Sequence, residues 1–360
     1  MVELMKFKNT FYKKKVVVTG HTGFKGSWLA LWLNLLGAKV YGISDKVQKK
    51  PSHFDAINLK SYIDQKFIDL KDTEKTKKVI KKIKPDFIFH LAAQAIVKNA
   101  FSKPYRTWQS NLVGTLSILE ALKNLNKKCI AIIITSDKVY KNIETEKGYK
   151  ENDTLGGFDP YSASKASTEF LINSYVKSIF SNNNKLRLSI ARAGNVIGGG
   201  DWSEGRLVPD CIKSWSKEKK VIIRNANSTR PWQHVLEVIF GYLTLAANLE
   251  RNKKLHGEAF NFGPKIKSRI TVIQLLRFIK KRLPKFMWVK KKNKFLKESK
   301  LLKLNSKKAK KLLNWECKLK FSETVDLVLK WYENFYQDNN DMKKFSISQI
   351  KYYNKILLRK

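Results

Sequence analysis

Residues 15–26, KVVVTGHTGFKG, join a short β-branched run to a glycine-rich turn. The run over residues 15–19 predicts a strand buried on both faces, because consecutive valines favour extended backbone and show no polar alternation. The apolar spacing after the turn predicts a helix over residues 23–36. A strand, a glycine turn and a helix in this order bring backbone N–H groups toward a phosphate at the helix N-terminus. The stretch therefore predicts the first unit of a dinucleotide-binding fold, with the glycine spacing GxxGxxG.

The same alternation of apolar runs and amphipathic segments continues through the first half of the chain. Strands separated by helices of ten or more residues predict a parallel sheet with right-handed crossovers. Strands are predicted over residues 15–19, 39–43, 67–70, 86–91, 130–135 and 186–191, and helices over 23–36, 73–83, 104–125 and 161–180. The fold class expected is α/β, a Rossmann-type doubly wound parallel sheet with a smaller, mostly C-terminal substrate-binding lobe.

The texture of the sequence changes after Arg192, where Gly, Asp, Trp and Pro become frequent. We predict a dinucleotide-binding domain over residues 11–191, to which later segments return. Residues 192–345 are then mainly the substrate-binding lobe, and residues 346–360 are a basic C-terminal helix or tail. No low-complexity linker separates these parts, so one body is expected.

Two sets of acid–base groups follow the fifth predicted strand. Tyr161 and Lys165 are four residues apart and share one face of a helix, where the ammonium is expected to lower the pKa of the phenol. Tyr161 would then act as a base for a sugar or alcohol hydroxyl. The strand itself ends in Ser136, Asp137 and Lys138, which add a second acid–base pair. Oxidation of a carbon bearing a hydroxyl needs only the first set, whereas oxidation followed by loss of water needs both.

Further positions follow the path of a dinucleotide along the carboxyl ends of the strands. Asp69 and Leu70, which end the predicted third strand, are predicted to meet adenine, and the small residues that end the fourth strand leave room for the cofactor. NAD is favoured over NADP, although the acidic residue expected after the second strand is not clear, since Asp45 is followed by Lys46. The predicted cofactor-binding residues are Gly20, Thr22, Gly23, Phe24, Gly26, Asp69, Leu70, Leu91, Ala92, Ala93, Asn111, Tyr161 and Lys165.

The composition limits the class of protein. The chain has 360 residues, of which 43% are hydrophobic, so a sizeable core is available. Its net charge of +42 comes mainly from dispersed lysines, whereas a nucleic-acid reader more often concentrates arginine on one face. Three separated cysteines favour a reducing, cytoplasmic compartment. No apolar run approaches the roughly 20 residues of a membrane span. No His, Cys and Asp cluster has metal spacing, so no metal is expected.

Seven motifs together resemble the extended short-chain dehydrogenase/reductase superfamily and, more narrowly, its CDP-glucose 4,6-dehydratase branch. They are GHTGFKGSWL, HLAAQ, TSDKVY, YSASK, ARAGNVIGGGDW, RLVPD and RPWQHVLE, and the similarity is weakest over residues 45–65 and 280–320. Asp137 is typical of nucleotide-sugar 4,6-dehydratases, where epimerases more often carry a small or hydroxyl residue. Lys138 departs from the Asp-Glu pair of the dTDP- and GDP-sugar dehydratases and, with GGGDW and RPWQHV, favours the CDP-glucose branch.

The resemblance implies a role for each catalytic candidate. Tyr161, helped by Lys165, takes the proton of the sugar 4-OH while hydride moves from C4 to the nicotinamide, and Ser136 orients the same oxygen. Lys138, or a water that it holds, removes the C5 proton, and Asp137 protonates the departing 6-OH. Hydride then returns to C6. These roles need a protonated carboxyl beside an uncharged amine, so Lys138 is alternatively a charged stabiliser of the C5 enolate.

The resemblance also implies where the partners bind. Guanidinium groups match a sugar pyrophosphate bidentately, and CDP-glucose is the expected substrate. The predicted substrate-binding residues are Gln94, Asn195, Arg206, Arg230 and His234. In the superfamily, helices equivalent to residues 104–125 and 161–180 pair across a two-fold axis, so a homodimer is expected. Neither a membrane nor a specific nucleic acid is expected as a partner.

Three alternatives stay open from the sequence. The chain is alternatively a nucleotide-sugar 4-epimerase, or a dehydratase acting on another nucleotide. In another class, it is a non-catalytic, basic nucleic-acid-binding protein on a dehydrogenase scaffold. The intact glycine turn, Tyr161 and Lys165 weigh against the last alternative.

Overall fold

A computed structural model of the chain describes residues 2–47, 50–223, 225–265, 270–291, 301–337 and 341–358, with the side chains of residues 2–6 excepted. A seven-stranded, wholly parallel sheet occupies its centre. Its strands, in spatial order, are β10 (Ala259–Phe262), β6 (Leu186–Ala193), β5 (Cys129–Ile134), β4 (Phe87–His90), β1 (Lys15–Thr19), β2 (Lys39–Ser44) and β3 (Asp64–Phe67). This order places the crossover point between β1 and β4, where doubly wound sheets bind their ligands. The predicted fold class is confirmed.

Helices cover both faces of the sheet. They are α1 (Val2–Phe11), α2 (Phe24–Leu35), α3 (His53–Ala56), α4 (Thr73–Ile83), α5 (Val97–Ser102), α6 (Pro104–Trp108), α7 (Gly114–Lys123), α8 (Pro160–Ser174), α9 (Leu207–Trp215), α10 (Val235–Arg251), α11 (Val272–Arg282), α12 (Lys307–Leu313), α13 (Phe321–Tyr336) and α14 (Met342–Leu357). A π-helical turn over Gln109–Val113 joins α6 to α7, and another over Tyr175–Ile179 extends α8. None of the helices in the described ranges is long and apolar enough to cross a bilayer.

The apolar strands divide their side chains between two cores. In β5, alternate residues from Ile130 to Ile134 face the core that contains α2 and α10, while those from Cys129 to Ile133 face α4, α7 and α8. Both sets are buried, which explains why a strand with no polar alternation occupies the centre of the sheet. The core on the α2 side continues into the C-terminal elements, where Trp315 packs edge-on against Phe262.

Two small parallel pairs lie outside the main sheet, β7 (Val196–Ile197) with β9 (Gln233–His234), and β8 (Lys220–Ile223) with β11 (Met287–Lys290). Together with α9 and α11, they make up the loop-rich region predicted after Arg192. The domain boundaries stay a prediction. Three observations bear on them: Phe7, before residue 11, packs in the core, β10 returns to the main sheet, and α14 packs Tyr353 against Trp32 at 5.9 Å.

One strand prediction is wrong. The third strand, predicted over residues 67–70, lies at Asp64–Phe67 instead. This strand is at the edge of the sheet, and its side chains are mostly exposed, so no apolar run marks it. The apolar Leu70 is buried beyond the strand, against Gly114 at the start of α7. An apolar residue at this point marks burial, whereas the mostly exposed residues before it form the strand.

Candidate active site

Helix α8, which carries Tyr161 and Lys165, begins with a capping box and a proline. Asp159 caps it by accepting hydrogen bonds from the backbone N–H groups of Tyr161 (2.9 Å) and Ser162 (3.1 Å), and Ser162 Oγ accepts one from the Asp159 N–H. Pro160 occupies the first turn, where its missing N–H costs nothing. The cap therefore sets the position of Tyr161, and Lys165 follows one turn later on the buried face.

The second set of acid–base groups forms a tight turn at the carboxyl end of β5. Ser136 Oγ donates to Asp137 Oδ1 (2.9 Å) and accepts from the Lys138 N–H (3.2 Å), which closes a single 3₁₀ turn over Asp137–Val139. Asp137 is buried, while Lys138 is only half-buried. Ser136 also lies close enough to Tyr161 for its hydroxyl to lower the pKa of the phenol. The structure thus brings both predicted sets together at one strand end.

Burial controls the protonation of the Tyr161–Lys165 pair. Burial raises the pKa of Tyr161, against the smaller opposing effect of its hydrogen bond with Ser136. Burial, and to a smaller extent the nearby positive charge of Lys25, lower the pKa of Lys165 to about 7. The Lys165 ammonium is held by the Ile134 carbonyl at 3.4 Å. The expectation that Tyr161 has a lowered pKa is therefore wrong for this structure, because the loss of solvation outweighs the favourable contacts.

The glycine turn forms a cradle that fits the diphosphate of a dinucleotide. Gly20 has φ of +74°, and a Cβ there would lie 2.8 Å from the Ala92 nitrogen. At Gly26 a Cβ would lie 2.1 Å from the Gly20 carbonyl oxygen. No side chain caps the N-terminus of α2 at Gly23, so the first N–H groups of the helix are left to accept an anionic ligand. Phe24 begins the helix beside them.

The remaining parts of the predicted cofactor site lie along the strand ends. Thr22 donates its hydroxyl to the Lys46 carbonyl (2.9 Å) and to Ser44 Oγ (3.3 Å), at the end of β2. Asp45 follows β2 directly, where the ribose-binding acid of the fold is expected, and its carboxylate lies 3.9 Å from Arg106. The predicted residues Leu91, Ala92 and Ala93 follow β4, only half-buried, and leave an open edge beside the cradle.

Three residues predicted to contact the cofactor make contacts within the protein instead. Asn111 is buried, and its amide is occupied by the Gln94 backbone (2.8 Å) and by Ser164 Oγ (2.9 Å), so contact with a cofactor would require breaking these bonds. Leu70 belongs to the core. Asp69 is half-exposed and pairs with Lys71 at 3.2 Å. Asn111 instead ties the loop after β4 to the catalytic helix.

Among the predicted substrate-binding residues, one lies near Tyr161 and others make contacts elsewhere in the protein. Arg206 lies close enough to Tyr161 for its charge to lower the phenol pKa, and it pairs with Asp201 at 2.9 Å. Asn195 has a left-handed backbone, with φ of +51°, next to β7. Gln94 bonds to Ile96 and Thr107 around its own loop.

His234 is fully buried and caps α10 through the Leu236 N–H, so direct contact with a substrate, as predicted, does not fit its position. Arg230 donates to the neighbouring Thr229 carbonyl. Of the five predicted substrate residues, Arg206 is the one whose charge acts on Tyr161.

Sequence reasoning missed several residues of the site. Lys25, in the glycine turn, interacts with Asp137 and Asp201, and its ammonium lies 6.0 Å from the centre of the Tyr242 ring. Its position within the glycine motif could have indicated a role in the site, but the prediction was based on the glycines alone. Gly194 is required because a Cβ there would lie 1.9 Å from Asp137 Oδ2. In the described part of the chain, no group of three or more His, Cys, Asp or Glu side chains has the geometry of a metal site.

Comparison with known proteins gives a consistent result. The sequence model of the family described as GDP-mannose 4,6 dehydratase matches residues 17–328. The chain is 38% identical to the CDP-glucose 4,6-dehydratase of Salmonella typhimurium over 335 residues, which cover 91% of this chain and 92% of the relative. It is 27% identical to the CDP-paratose 2-epimerase of Salmonella typhi, over 74% of this chain and 83% of that relative.

Solved structures of epimerases share the fold. The UDP-glucose 4-epimerase of Thermotoga maritima, solved with UDP-glucose, superposes with a TM-score of 0.77 at 23% identity and covers 90% of this chain and 100% of its own. The UDP-glucuronic acid 4-epimerase of Bacillus cereus, solved with UDP-glucuronic acid and NAD, gives a TM-score of 0.76 at 23% identity, over 89% of this chain and 100% of that one. At this level of sequence identity, the structural similarity shows a shared fold and nothing further.

Proposed function

The chain belongs to the GDP-mannose 4,6 dehydratase family, and we propose that within it this protein is an NAD-dependent CDP-glucose 4,6-dehydratase. The proposed product is CDP-4-keto-6-deoxyglucose. The observation that carries the proposal is the position of Asp137, a buried carboxyl bonded to Ser136, whose hydroxyl lies close enough to Tyr161 to lower the pKa of the phenol. A general acid for the loss of water thus stands beside the base for oxidation, and simple epimerisation does not need it.

Each residue of the site then has a chemical task. Tyr161, as a phenolate stabilised by the ammonium of Lys165, accepts the proton of the sugar 4-OH, which Ser136 orients. NAD, when bound, supplies the acceptor for the C4 hydride and its later donor to C6. Asp137 donates a proton to the 6-OH, which leaves as water. Lys138, or a water that it holds, takes the C5 proton; alternatively, a water takes this proton while a charged Lys138 stabilises the enolate. A proton returns to C5 at the end.

The residues that would hold the cofactor are those of the cradle. The uncapped N-terminus of α2, with Gly20 and Gly26, accepts the diphosphate, and Asp45 is placed to bind the adenosine ribose. Arg206, beside Tyr161, is placed to pair with the diphosphate of the nucleotide sugar. The ion pair with Asp201 fixes the position of the Arg206 guanidinium.

The choice of cytidine rests on likeness rather than on a contact. The relative with 38% identity over nearly the whole chain is named for CDP-glucose, whereas relatives named for dTDP-glucose are less similar, at 28% and below. Epimerases are likewise more distant in sequence, at 25% for the Mycoplasma genitalium enzyme. These figures favour dehydration of CDP-glucose over the epimerase reading and over another nucleotide.

One experiment separates these readings. The protein, supplied with NAD, is offered CDP-, dTDP-, GDP- and UDP-glucose carrying deuterium at C4. We expect loss of water from CDP-glucose alone and deuterium in the new methyl group of the product, as measured by mass spectrometry and NMR. A Tyr161→Phe variant serves as the inactive control. Inversion at C4 without loss of water would instead identify an epimerase, and turnover of another nucleotide would overturn the cytidine assignment.

We also propose that the protein is a homodimer. Large aromatic side chains are exposed on the neighbouring helices α5, α6 and α8, namely Phe101 (58%), Tyr105 (75%) and Phe170 (59%). The three helices pack against one another, so these rings lie on connected elements. An exposed aromatic cluster of this kind is typical of a protein–protein interface.

A further inference from the structure

A buried ion pair lies behind the catalytic residues. Arg192 Nε donates to Glu169 Oε1 (2.9 Å) and Oε2 (3.1 Å), and a third contact runs from Nη2 to Oε2. Both side chains are buried. Glu169 lies on α8, one turn beyond Lys165, so the pair is attached to the catalytic helix. None of the catalytic steps uses either charge. A buried pair carries a large desolvation cost, which is offset only when each polar atom has a partner.

Other partners of this pair include the two ends of the Ser136–Asp137–Lys138 turn, and Arg192 Nη1 also donates to the Glu151 carbonyl (2.9 Å). At the near end, the Thr135 hydroxyl donates to Glu169 Oε1 (2.6 Å). At the far end, Arg192 Nη1 donates to the Tyr140 hydroxyl (2.6 Å), and its guanidinium lies 4.8 Å from the centre of the Tyr140 ring. The Tyr140 hydroxyl then donates to Asn261 Oδ1 (2.8 Å) on β10.

The two ends of the turn differ in what else holds them. The near end is bonded to the sheet, because the Thr135 N–H donates to the Ala191 carbonyl of β6 (3.0 Å). Ser136, which follows, lies close to Tyr161. The far end lies outside the sheet, since β5 ends at Ile134. Its backbone bonds to a loop, where the Gly156 N–H donates to the Val139 carbonyl (2.8 Å) and the Lys141 N–H donates to the Thr154 carbonyl (2.9 Å). The hydroxyl of Tyr140 joins this end to Arg192 on β6 and, through the ion pair, to Glu169 on α8.

We infer that Tyr140 is a positioning residue for the loss of water: through Arg192 and Glu169 it holds Asp137 and Lys138 in register with Tyr161 and Lys165. The inference rests on the proposed function and assigns a task to the buried pair. Oxidation at C4 depends on Ser136 and Tyr161, which are held by the sheet and by the helix cap. The later proton transfers at C5 and C6 depend on the part of the turn that Tyr140 holds.

The variant Tyr140→Phe tests this inference, because it removes one hydroxyl and leaves the ion pair and the ring in place. Tyr149→Phe is the matched control: its ring stacks on Tyr140 at 4.9 Å, but its hydroxyl bonds to Ile143 and Asn142 instead of Arg192. Single turnovers of CDP-glucose by the NAD-loaded enzymes are quenched, trapped with borodeuteride and separated by mass spectrometry. This measures the 4-keto sugar that still carries its 6-OH and the 4-keto-6-deoxy product separately.

We expect Tyr140→Phe to form the 4-keto sugar within about twofold of the wild-type rate and to lose water at least about tenfold more slowly, so that the intermediate accumulates. Tyr149→Phe should accumulate none. If both steps slow equally in Tyr140→Phe, the residue is merely structural, and if neither changes, the inference is wrong. Should Tyr140→Phe fail to fold, Arg192→Lys keeps the charge beside Glu169 and must give the same accumulation. A wild-type enzyme that forms no 6-deoxy product would overturn the proposed function itself.

Discussion

Lys165 shows how neighbouring charges tune one residue of the site. Its ammonium must be charged to stabilise the Tyr161 phenolate, yet burial lowers the pKa of Lys165 to about 7. The second cause is the positive charge of Lys25, whose own pKa is lowered to about 8, by burial first and by Arg206 next. A cation therefore sits inside the glycine turn, where it opposes the charge that the oxidation step requires.

This arrangement predicts a shift in pH dependence. Lys165 is charged below its pKa and uncharged above it, so turnover should fall as the pH rises through that value. Lys25→Met removes the like charge, raises the pKa of Lys165 and should move the alkaline limb of kcat/KM to higher pH, at saturating NAD. Lys46→Met, an exposed lysine near the same cradle, is the control. An unmoved alkaline limb in Lys25→Met would show that Lys165 does not set it.

The start of α8 connects helix stability with catalysis. The Asp159 cap satisfies the N–H groups of Tyr161 and Ser162, so the capping group and the catalytic phenol are two residues apart. Asp72 caps α4 in the same way, by accepting from the Lys75 N–H at 3.0 Å, on a helix that carries none of the proposed catalytic residues. The two helices therefore offer the same local interaction with and without a nearby active site.

Removing either cap should lower the stability of the protein, but the two variants should differ in activity. Asp159→Ala should lower the free energy of unfolding by about 1 kcal/mol, and Asp72→Ala should lower it as well, as measured by denaturant titration. Only Asp159→Ala should also lower the rate of C4 oxidation, because Tyr161 loses the bond that orients its backbone. Equal activities in the two variants would mean that the remaining contacts of α8 suffice to place Tyr161.

For the molecule as a whole, the exposed aromatic cluster of α5, α6 and α8 should govern assembly. Phe170→Asp places a charge on this surface and should convert the proposed dimer into a monomer, as measured by light scattering. Ile143→Asp changes an equally exposed apolar residue (72%) that lies in a loop outside these helices, and it should leave the dimer intact. A wild-type monomer, or a dimer that survives Phe170→Asp, would contradict the proposal.

Much of the architecture could be predicted because its signals are local. The β1 strand was predicted with its observed bounds, and α4 with its observed length, since three valines in one case and helical apolar spacing in the other are enough to specify them. The glycine turn and the spacing of Tyr161 and Lys165 are equally local. The third strand was misplaced because an edge strand exposes its side chains and leaves no apolar pattern.

The amino-acid order alone specified the β–α alternation, the glycine cradle, and the pairing of Tyr161 with Lys165, because each depends on neighbours within a few residues. Folding settled which distant side chains share an environment: Lys25 with Asp137, and Arg192 with Tyr140 and Glu169. It also turned Asn111 and His234 inward. Burial and charge proximity arise from packing between elements remote in the chain, so no local pattern records them.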